Sequence, residues 1–415
     1  MIELKEEIKR FVLVGVSTGD TESLQDSLDE LEELLKTAGG IACGRLVQNL
    51  DRIHPVTYVG SGKLDELRML VQAHNAAGVI CDDELSPIQF RNMEDALDCA
   101  VLDRTMLILD IFAAHAASAE GKLQVELAMQ KYRAARLVGL RKSLSRLGGG
   151  IGTRGPGEKK LETDRRLIHE RIGFLKQELK KVVKNREAQR KNRERSLHMS
   201  AALVGYTNAG KSTLLNLLTG ADVLSENKLF ATLDTTTRVL KFENKEELLL
   251  TDTVGFIRKL PHDVIDAFKS TLEEAVHCDL ILHVVDASSP TMDVQMQVVK
   301  DTLRELNAGD KPVIMVFNKC DVVREKNGGE LPKMKDFSAE ASVMISAKTN
   351  EGVDELKELL ASYMHKDMVY REGLIAFADS AKLTLIRKYG RLISQEYRED
   401  GIFVCAYLPK ELNLQ

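Results

Sequence analysis

The sequence predicts an α/β protein with a mostly parallel, doubly wound sheet, preceded by a smaller α/β domain and a long antiparallel helical hairpin and followed by a small α+β domain. Three observations support this prediction. Short apolar runs alternate with helical periodicity over most of the chain. Two long helical patterns adjoin each other in the middle, and a glycine-rich loop joins an apolar strand to a helix at 203–213. We expect domains at 1–118, 119–196, 197–365 and 366–415.

The first domain is predicted from strands that alternate with helices, an order typical of parallel pairing. Strands are expected at 11–16, 43–48 and 78–81, and helices at 23–36, 64–74 and from Ser86-Pro87 onward. The run Gly60-Ser61-Gly62-Lys63 resembles a phosphate loop faintly, but it lacks the four-residue gap and the hydroxyl residue after lysine. We interpret it as a turn before a helix.

The second domain combines helical periodicity with a strong basic charge. Apolar spacing predicts one helix from Gly121 to about Leu147 and another from about Leu161 to Arg195, joined by a loop at 148–157 that contains six glycines. Residues 131–195 include 21 basic and 7 acidic residues, a net charge of +14 in a chain of net charge −5. Such a block favours nucleic-acid binding, with the loop as an RNA-facing tip. A flexible connector and a solvated helix face are the alternatives.

The third domain opens with the spacing G-x4-G-K-S after the apolar run 201–204. Glycine lets backbone N–H groups approach a polyphosphate, Lys211 can reach the β- and γ-phosphates, and the Ser212 hydroxyl can bind Mg²⁺. The predicted nucleotide-binding residues of this loop are Gly205, Tyr206, Thr207, Asn208, Ala209, Gly210, Lys211, Ser212 and Thr213.

Two later segments are predicted to respond to the γ-phosphate. The first is rich in threonine, and one of its four hydroxyls can complete the Mg²⁺ shell. In the second, Asp252 can support Mg²⁺ through water and the Gly255 N–H can meet the γ-phosphate. The predicted binding residues are Phe230, Ala231, Thr232, Leu233, Asp234, Asp252, Thr253, Val254 and Gly255.

Two further motifs, each after an apolar strand, predict recognition of a guanine base. The Asp321 carboxylate can accept protons from both N1 and the N2 amino group of guanine, whereas adenine offers no such pair of donors. Backbone N–H groups of the second motif can meet the guanine carbonyl. The predicted residues are Asn318, Lys319, Cys320, Asp321, Ser346, Ala347 and Lys348.

The last domain is short for an independent core, so we expect it to pack on a neighbouring domain. A helix is predicted at 380–389 and a strand at 402–408. The six cysteines are scattered without paired spacing, which argues against a zinc site or a disulfide framework. No apolar run is long enough to span a membrane, and no signal peptide is evident at the N-terminus. We expect a cytoplasmic, monomeric protein.

These motifs together resemble the HflX family of ribosome-associated GTPases, over nearly the whole chain. The segments that carry the resemblance are 82–87, 102–105, 120–127, 148–157, 230–238 and 252–258. The resemblance implies GTP hydrolysis with Mg²⁺, binding to the rRNA of the large ribosomal subunit through 119–196, and dissociation of stalled ribosomes. It selects Thr232 as a metal ligand beside Ser212 and Asp252. We accordingly predict Lys211, Thr232 and Gly255 as catalytic residues.

One position departs from classical signalling GTPases, which carry a glutamine directly after the Asp-x-x-Gly motif. Phe256 occupies it here and cannot orient a water molecule, so intrinsic hydrolysis should be slow. The missing polar group must come from a partner, a monovalent ion or another loop. Asn208 matches the asparagine that binds K⁺ in related GTPases, so K⁺ stimulation is a further hypothesis. The alternative functions are a regulatory switch acting on a protein partner and a nucleotide-driven RNA chaperone.

Overall fold

The computed structural model describes residues 8–19, 21–147, 156–194, 199–220, 229–230, 235–243, 246–259, 272, 274–366 and 368–409. The chain groups into two compact units. The first unit contains the described residues up to 184 and two short pieces from later in the chain, 229–230 and 254–259. The second unit contains the other described residues. The four predicted domain limits remain a proposal.

The first unit begins with a four-stranded parallel sheet in the order β2-β1-β3-β4. Its helices bury leucine and valine side chains against the sheet, which confirms the predicted α/β layout. The elements are β1 Arg10–Ser17, α1 Thr21–Thr37, β2 Ile41–Asn49, α2 Ser61–Ala73, β3 Gly78–Cys81, α3 Pro87–Leu97, β4 Ala100–Asp103 and α4 Arg104–His115.

Local sequence signals explain where two of these helices begin. The Ser86 hydroxyl accepts a hydrogen bond from the Gln89 N–H, the Gln89 side chain accepts one from the Ser86 N–H, and Pro87 occupies the first turn of α3. The Asp103 carboxylate accepts from the Met106 N–H and caps α4. Both caps lie at the carboxyl edge of the sheet, where the buried charges described below also gather.

Two long helices follow, α5 Ala119–Leu147 and α6 Pro156–Glu194. The second begins at Pro156, so the prediction of a loop through 157 is wrong at that end; proline suits a first helical turn because that turn needs no N–H partner. Residues 148–155 lie outside the described residues. The Arg171 guanidinium donates to both carboxylate oxygens of Glu126, at 2.7 and 2.9 Å, and joins the helices.

No helix in the described part of the chain could cross a membrane.

The second unit contains a six-stranded sheet in the order β10-β9-β8-β5-β7-β6, in which only β6 is antiparallel. Strand β5 lies between β7 and β8, so its carboxyl end is a topological switch point, where ligands bind in open α/β sheets. The elements are β5 Met199–Gly205, α7 Lys211–Thr219, β6 Thr236–Lys241, β7 Glu247–Asp252, β8 Leu280–Asp286, α8 Met292–Glu305, β9 Val313–Asn318, α9 Cys320–Lys326, β10 Ala341–Met344 and α10 Val353–Met364.

A three-stranded antiparallel sheet with one helix ends the second unit and confirms the predicted helix and strand. It packs on the larger sheet's β6–β7 hairpin, because the Arg391 guanidinium donates to the Glu247 carbonyl oxygen at 2.9 Å. The His365 ring also stacks on Tyr407, with ring centres 3.6 Å apart. The elements are β11 Met368–Ile375, α11 Ser380–Tyr389, β12 Arg391–Arg398 and β13 Gly401–Pro409, in the sheet order β11-β13-β12.

Two leucines of α6 test whether this helix packs through one face. Leu175 is fully buried, whereas Leu167 is 54% exposed. Leu175→Ala should cost about 2–4 kcal/mol, because it removes buried methyl groups and leaves a cavity. Leu167→Ala on the same helix should change stability by less than about 0.5 kcal/mol. Urea unfolding of the full chain measures both, and equal effects would contradict the described packing.

Candidate nucleotide-binding site

The loop between β5 and α7 lies so close to neighbouring backbone and side-chain atoms that two of its positions require glycine. A Cβ atom on Gly205 would lie 2.1 Å from the Val284 carbonyl oxygen. Gly210 has a φ of +95°, and a Cβ atom there would lie 2.3 Å from Nδ2 of Asn318. The glycines at both ends therefore fix the shape of the loop around the first turn of α7.

The buried Lys211 side chain is held inside this loop. Its ammonium group donates to the carbonyl oxygens of Gly205, at 3.1 Å, and Tyr206, at 2.9 Å. Burial lowers the pKa of Lys211 to about 8, although the Asp252 charge acts in the opposite direction. A phosphate group would favour the charged ammonium, so the position fits a polyphosphate ligand.

A hydroxyl and a carboxylate meet beside Lys211. The Ser212 hydroxyl donates to Oδ2 of Asp252 at 2.5 Å, and Asp252, the last residue of β7, is fully buried. Oxygen atoms of this kind are the ligands that Mg²⁺ prefers. The two side chains therefore fit the predicted magnesium site. Thr253 follows directly, and its hydroxyl donates to the Leu203 carbonyl oxygen at 2.7 Å, which fixes the end of β7 against β5.

The Asn318 side chain connects the phosphate loop to a second loop. Its amide Nδ2 donates to the Ala209 carbonyl oxygen, and its Oδ1 accepts from the Ala347 N–H, both at 2.9 Å. The Asn318 carbonyl oxygen accepts from the Ala287 N–H at 3.0 Å. Asn318 is almost fully buried, so each of these bonds is shielded from water. One residue thus fixes three loops at the carboxyl edge of the sheet.

The residues predicted to recognise guanine lie on the same edge. Oδ1 of Asp321 is buried and accepts no hydrogen bond from any described residue, as expected of an acceptor that serves a ligand. Lys319 has a left-handed backbone, and its ammonium group donates to Asp286 at 2.7 Å. The Ser346 hydroxyl accepts from the Thr349 N–H at 3.2 Å, which fixes the second guanine loop.

The structure brings together most of the predicted site within the second unit. The phosphate loop, Asp252 and the two guanine motifs share one sheet edge. Phe230, Val254 and Gly255 belong to the first unit, and the range 231–234, which includes Thr232, lies outside the described residues.

The sequence analysis missed two residues that support this site. Asp286 binds Lys319, and Glu351 binds Arg324, whose NH1 donates to it at 2.9 Å. The Glu351 carbonyl oxygen also accepts from the Ser346 N–H at 3.0 Å. A carboxylate directly after the apolar run of β8 was the available signal for Asp286, whereas nothing in the local sequence distinguishes Glu351.

Comparison with known proteins identifies the family. Three family models match in order: "GTP-binding GTPase N-terminal" at 25–113, "GTP-binding GTPase Middle Region" at 115–193 and "50S ribosome-binding GTPase" at 200–319. The chain is 60% identical over 412 residues to the GTPase HflX of Lacrimispora saccharolytica, across 99% of this chain and 96% of that protein. The chain belongs to the HflX family of GTPases. This membership confirms the prediction that the protein is a GTP hydrolase.

A second HflX relative agrees with this placement. The GTPase HflX of Caldanaerobacter subterraneus is 46% identical, across 99% of this chain and 94% of that protein. A solved structure of a GTP-binding protein from the archaeon Sulfolobus solfataricus, in complex with GDP, is 24% identical and covers 86% of this chain and 98% of its own, with a TM-score of 0.44. GTP is the substrate expected of an HflX protein, with the Mg²⁺ dependence typical of GTPases.

The guanine assignment can be tested by changing the base. Asp321→Asn replaces one acceptor oxygen with a donor, so GTP affinity should fall by about tenfold or more. Xanthosine triphosphate, which carries a carbonyl oxygen in place of the amino group, should gain affinity for the variant. Titration of the wild type and the variant with both nucleotides measures this exchange. If both proteins prefer GTP equally, Asp321 does not contact the base.

Proposed function

We propose that this chain is a GTPase that binds the large ribosomal subunit through the helical arm, residues 119–196, and uses GTP binding and hydrolysis to dissociate stalled ribosomes. The observation that carries the proposal is that Asn318 joins the phosphate loop to the predicted guanine loop, in the same chain as an arm segment of net charge +14. Membership in the HflX family and the match to a "50S ribosome-binding GTPase" model support it. Association with ribosomes would place part of the protein on them in the cytoplasm.

Each predicted site residue has one task in this proposal. Lys211 and the loop N–H groups bind the β- and γ-phosphates and stabilise the charge that develops on them. Ser212, Asp252 and Thr232 would hold Mg²⁺, which when bound neutralises phosphate charge. The Gly255 N–H meets the γ-phosphate.

Burial supports the first of these tasks. A charge-assisted hydrogen bond from a lysine shielded from water is stronger than the same bond at the surface. Lys211 is shielded in this way and is already aligned by the carbonyl oxygens of Gly205 and Tyr206. The Lys211 side chain therefore needs to rearrange little when a nucleotide binds.

The arm is suited to an extended polyanionic surface. Helix α6 has 39 residues and is therefore about 58 Å long at 1.5 Å per residue. Six of the helix's basic side chains are exposed in the described part: Arg166, Arg171, Lys176, Lys180, Lys181 and Lys184. Because phosphate contacts release counterions, binding through such side chains should weaken steeply with salt.

Replacing Lys180, Lys181 and Lys184 with glutamine tests the arm. The triple variant should lose about tenfold or more of its affinity for purified large subunits, and the salt dependence should become shallower. Co-sedimentation with a non-hydrolysable GTP analogue, at two or more salt concentrations, measures both effects.

A matched control removes the same charge from exposed lysines elsewhere: Lys326, Lys333 and Lys335. It should bind ribosomes as the wild type does, and equal losses in both triple variants would contradict a role for the arm.

Lys211→Ala separates GTP hydrolysis from ribosome binding, because it should abolish GTP turnover and ribosome dissociation while the arm charge is intact. Dissociation of ribosomes by this variant would overturn the nucleotide-driven model.

We further propose that K⁺ supplies the polar group that Phe256 lacks. Asn208 is exposed in the phosphate loop and has a left-handed φ of +60°. GTP turnover should be several-fold faster in KCl than in NaCl, as with other positioned cations that stabilise phosphate charge. Asn208→Gly keeps the left-handed backbone and removes the amide, so this variant should turn over GTP equally in both salts. Equal wild-type rates in KCl and NaCl would remove the hypothesis.

A further inference from the structure

One hydroxyl group of the phosphate loop has no hydrogen-bond partner among the described residues. Thr207 is 7% exposed, and its Oγ1 atom is shielded from water. Other hydroxyls of the site differ, because Ser212 donates to Asp252 and Thr253 donates to the Leu203 carbonyl oxygen. A buried hydroxyl without a hydrogen bond is costly, and native proteins contain few such groups. The Thr207 hydroxyl therefore requires an explanation.

A tight turn fixes the position of Thr207. The Ala209 N–H donates to the Tyr206 carbonyl oxygen at 3.3 Å, so Thr207 is the first of the two central residues of this turn. The Tyr206 carbonyl oxygen also accepts from the Lys211 ammonium group, and the Ala209 carbonyl oxygen accepts from the Asn318 amide, both at 2.9 Å. Both ends of the turn are therefore anchored.

The turn does not explain why this residue is a threonine. Asn208, the other central residue, has a left-handed φ of +60°, which asparagine tolerates well at that position of a turn. The first central position of such a turn favours proline, and valine has the same branched shape as threonine. Neither proline nor valine carries a hydroxyl group. Local backbone geometry thus accounts for Asn208 but not for the Thr207 hydroxyl.

The position of Lys211 indicates which part of a nucleotide lies near this hydroxyl. The carbonyl oxygens of Gly205 and Tyr206 hold the Lys211 ammonium group at the start of the loop, at 3.1 and 2.9 Å. In loops of this type, backbone N–H groups surround the α- and β-phosphates, and the lysine reaches the β- and γ-phosphates. Thr207 directly follows Tyr206. We therefore expect its hydroxyl near the γ-phosphate of a bound triphosphate.

A γ-phosphate supplies the acceptor that the Thr207 hydroxyl lacks. A hydroxyl donates one proton, and phosphate oxygens are strong, charged acceptors. Shielding from water strengthens such a bond. A diphosphate offers no oxygen at this place, so the hydroxyl would stay unpaired with GDP. A site strongly rejects a ligand that leaves one of its buried polar groups unpaired.

We propose that the Thr207 hydroxyl donates a hydrogen bond to the γ-phosphate of GTP, and that this bond makes the site prefer GTP to GDP. The inference rests on the GTP binding of the proposed function and does not depend on ribosome binding. It assigns the choice between the two nucleotides to a side chain outside the glycines, lysine and serine of the G-x4-G-K-S motif. A nucleotide switch needs such a difference, because ligands shift a conformational equilibrium only through differential contacts.

Thr207→Val tests the bond, because it removes the hydroxyl and keeps the branched shape. In the full chain with Mg²⁺, affinity for a non-hydrolysable GTP analogue should fall about tenfold or more, as expected for a lost hydrogen bond to a charged group. Affinity for GDP should stay within about twofold of the wild-type value, since the hydroxyl is unpaired with or without GDP. Thr207→Ser keeps a hydroxyl and should keep the wild-type ratio of the two affinities. Calorimetric titration with both nucleotides measures this ratio.

Thermal unfolding of the nucleotide-free chain gives a second, independent readout. Thr207→Val should unfold at the wild-type midpoint or above it, because the variant removes an unpaired buried hydroxyl and breaks no bond. Thr253→Val is the matched comparison. The Thr253 hydroxyl is also buried but donates to the Leu203 carbonyl oxygen at 2.7 Å, so the midpoint of this variant should fall.

Thr302→Val is the control for nucleotide affinity, because Thr302 lies on α8 and its hydroxyl donates to the Val298 carbonyl oxygen at 2.8 Å. It should bind both nucleotides as the wild type does. The inference is overturned if Thr207→Val keeps the wild-type affinity ratio, if it loses affinity for both nucleotides equally, or if its unfolding midpoint falls. A wild-type chain that binds neither nucleotide would contradict the proposed function as well, so the two failures are distinguishable.

Discussion

The nucleotide site depends on the buried side chain of Asn318. Its two amide hydrogen bonds join the phosphate loop at Ala209 to the guanine loop at Ala347, and its backbone carbonyl oxygen adds Ala287. Loops on the surface of a sheet are usually mobile relative to one another. Here one shielded residue holds three of them in register, so the phosphate loop and the predicted guanine loop keep a fixed separation. Removing it would leave buried donors and acceptors unpaired, which costs more than each bond contributes.

The four-stranded parallel sheet and the mostly parallel six-stranded sheet use the same structural position in different ways. Both have a switch point at the carboxyl end of a central strand. In the large sheet, that end presents the Lys211 ammonium group, held by backbone carbonyl oxygens in a geometry suited to a phosphate. In the small sheet, Arg104 and Lys259 neutralise the charge of Asp82. A position that commonly receives a ligand instead receives a side chain of the same protein.

The small domain also belongs to one compact unit with two short pieces from later in the chain. A lysine that binds two carboxylates can be displaced only by breaking both contacts, and one of those carboxylates is fully buried. The edge-on contact of Phe112 with Phe230 has no charge and should be insensitive to salt. An ionic and an apolar contact on one domain therefore hold the short segments that contain Lys259 and Phe230.

The sequence by itself determined the architecture and the chemistry of the main site. Alternating apolar runs predicted both parallel sheets, and the spacing of Gly205, Gly210 and Lys211 predicted the phosphate loop, because these patterns follow from local backbone geometry. The prediction from the sequence misplaced the start of α6, because helical periodicity is weak where Pro156 begins the helix.

Only the tertiary structure decided which side chains meet across long stretches of chain. Asp286 with Lys319 is one such pair, and Lys259 with Asp82 is another. Asp82 and Lys259 are 177 residues apart, and no local pattern couples them. The sequence presents Lys259 as one more charged residue near a motif. Its significance depends on the burial of its partner, and burial is a property of the folded chain alone.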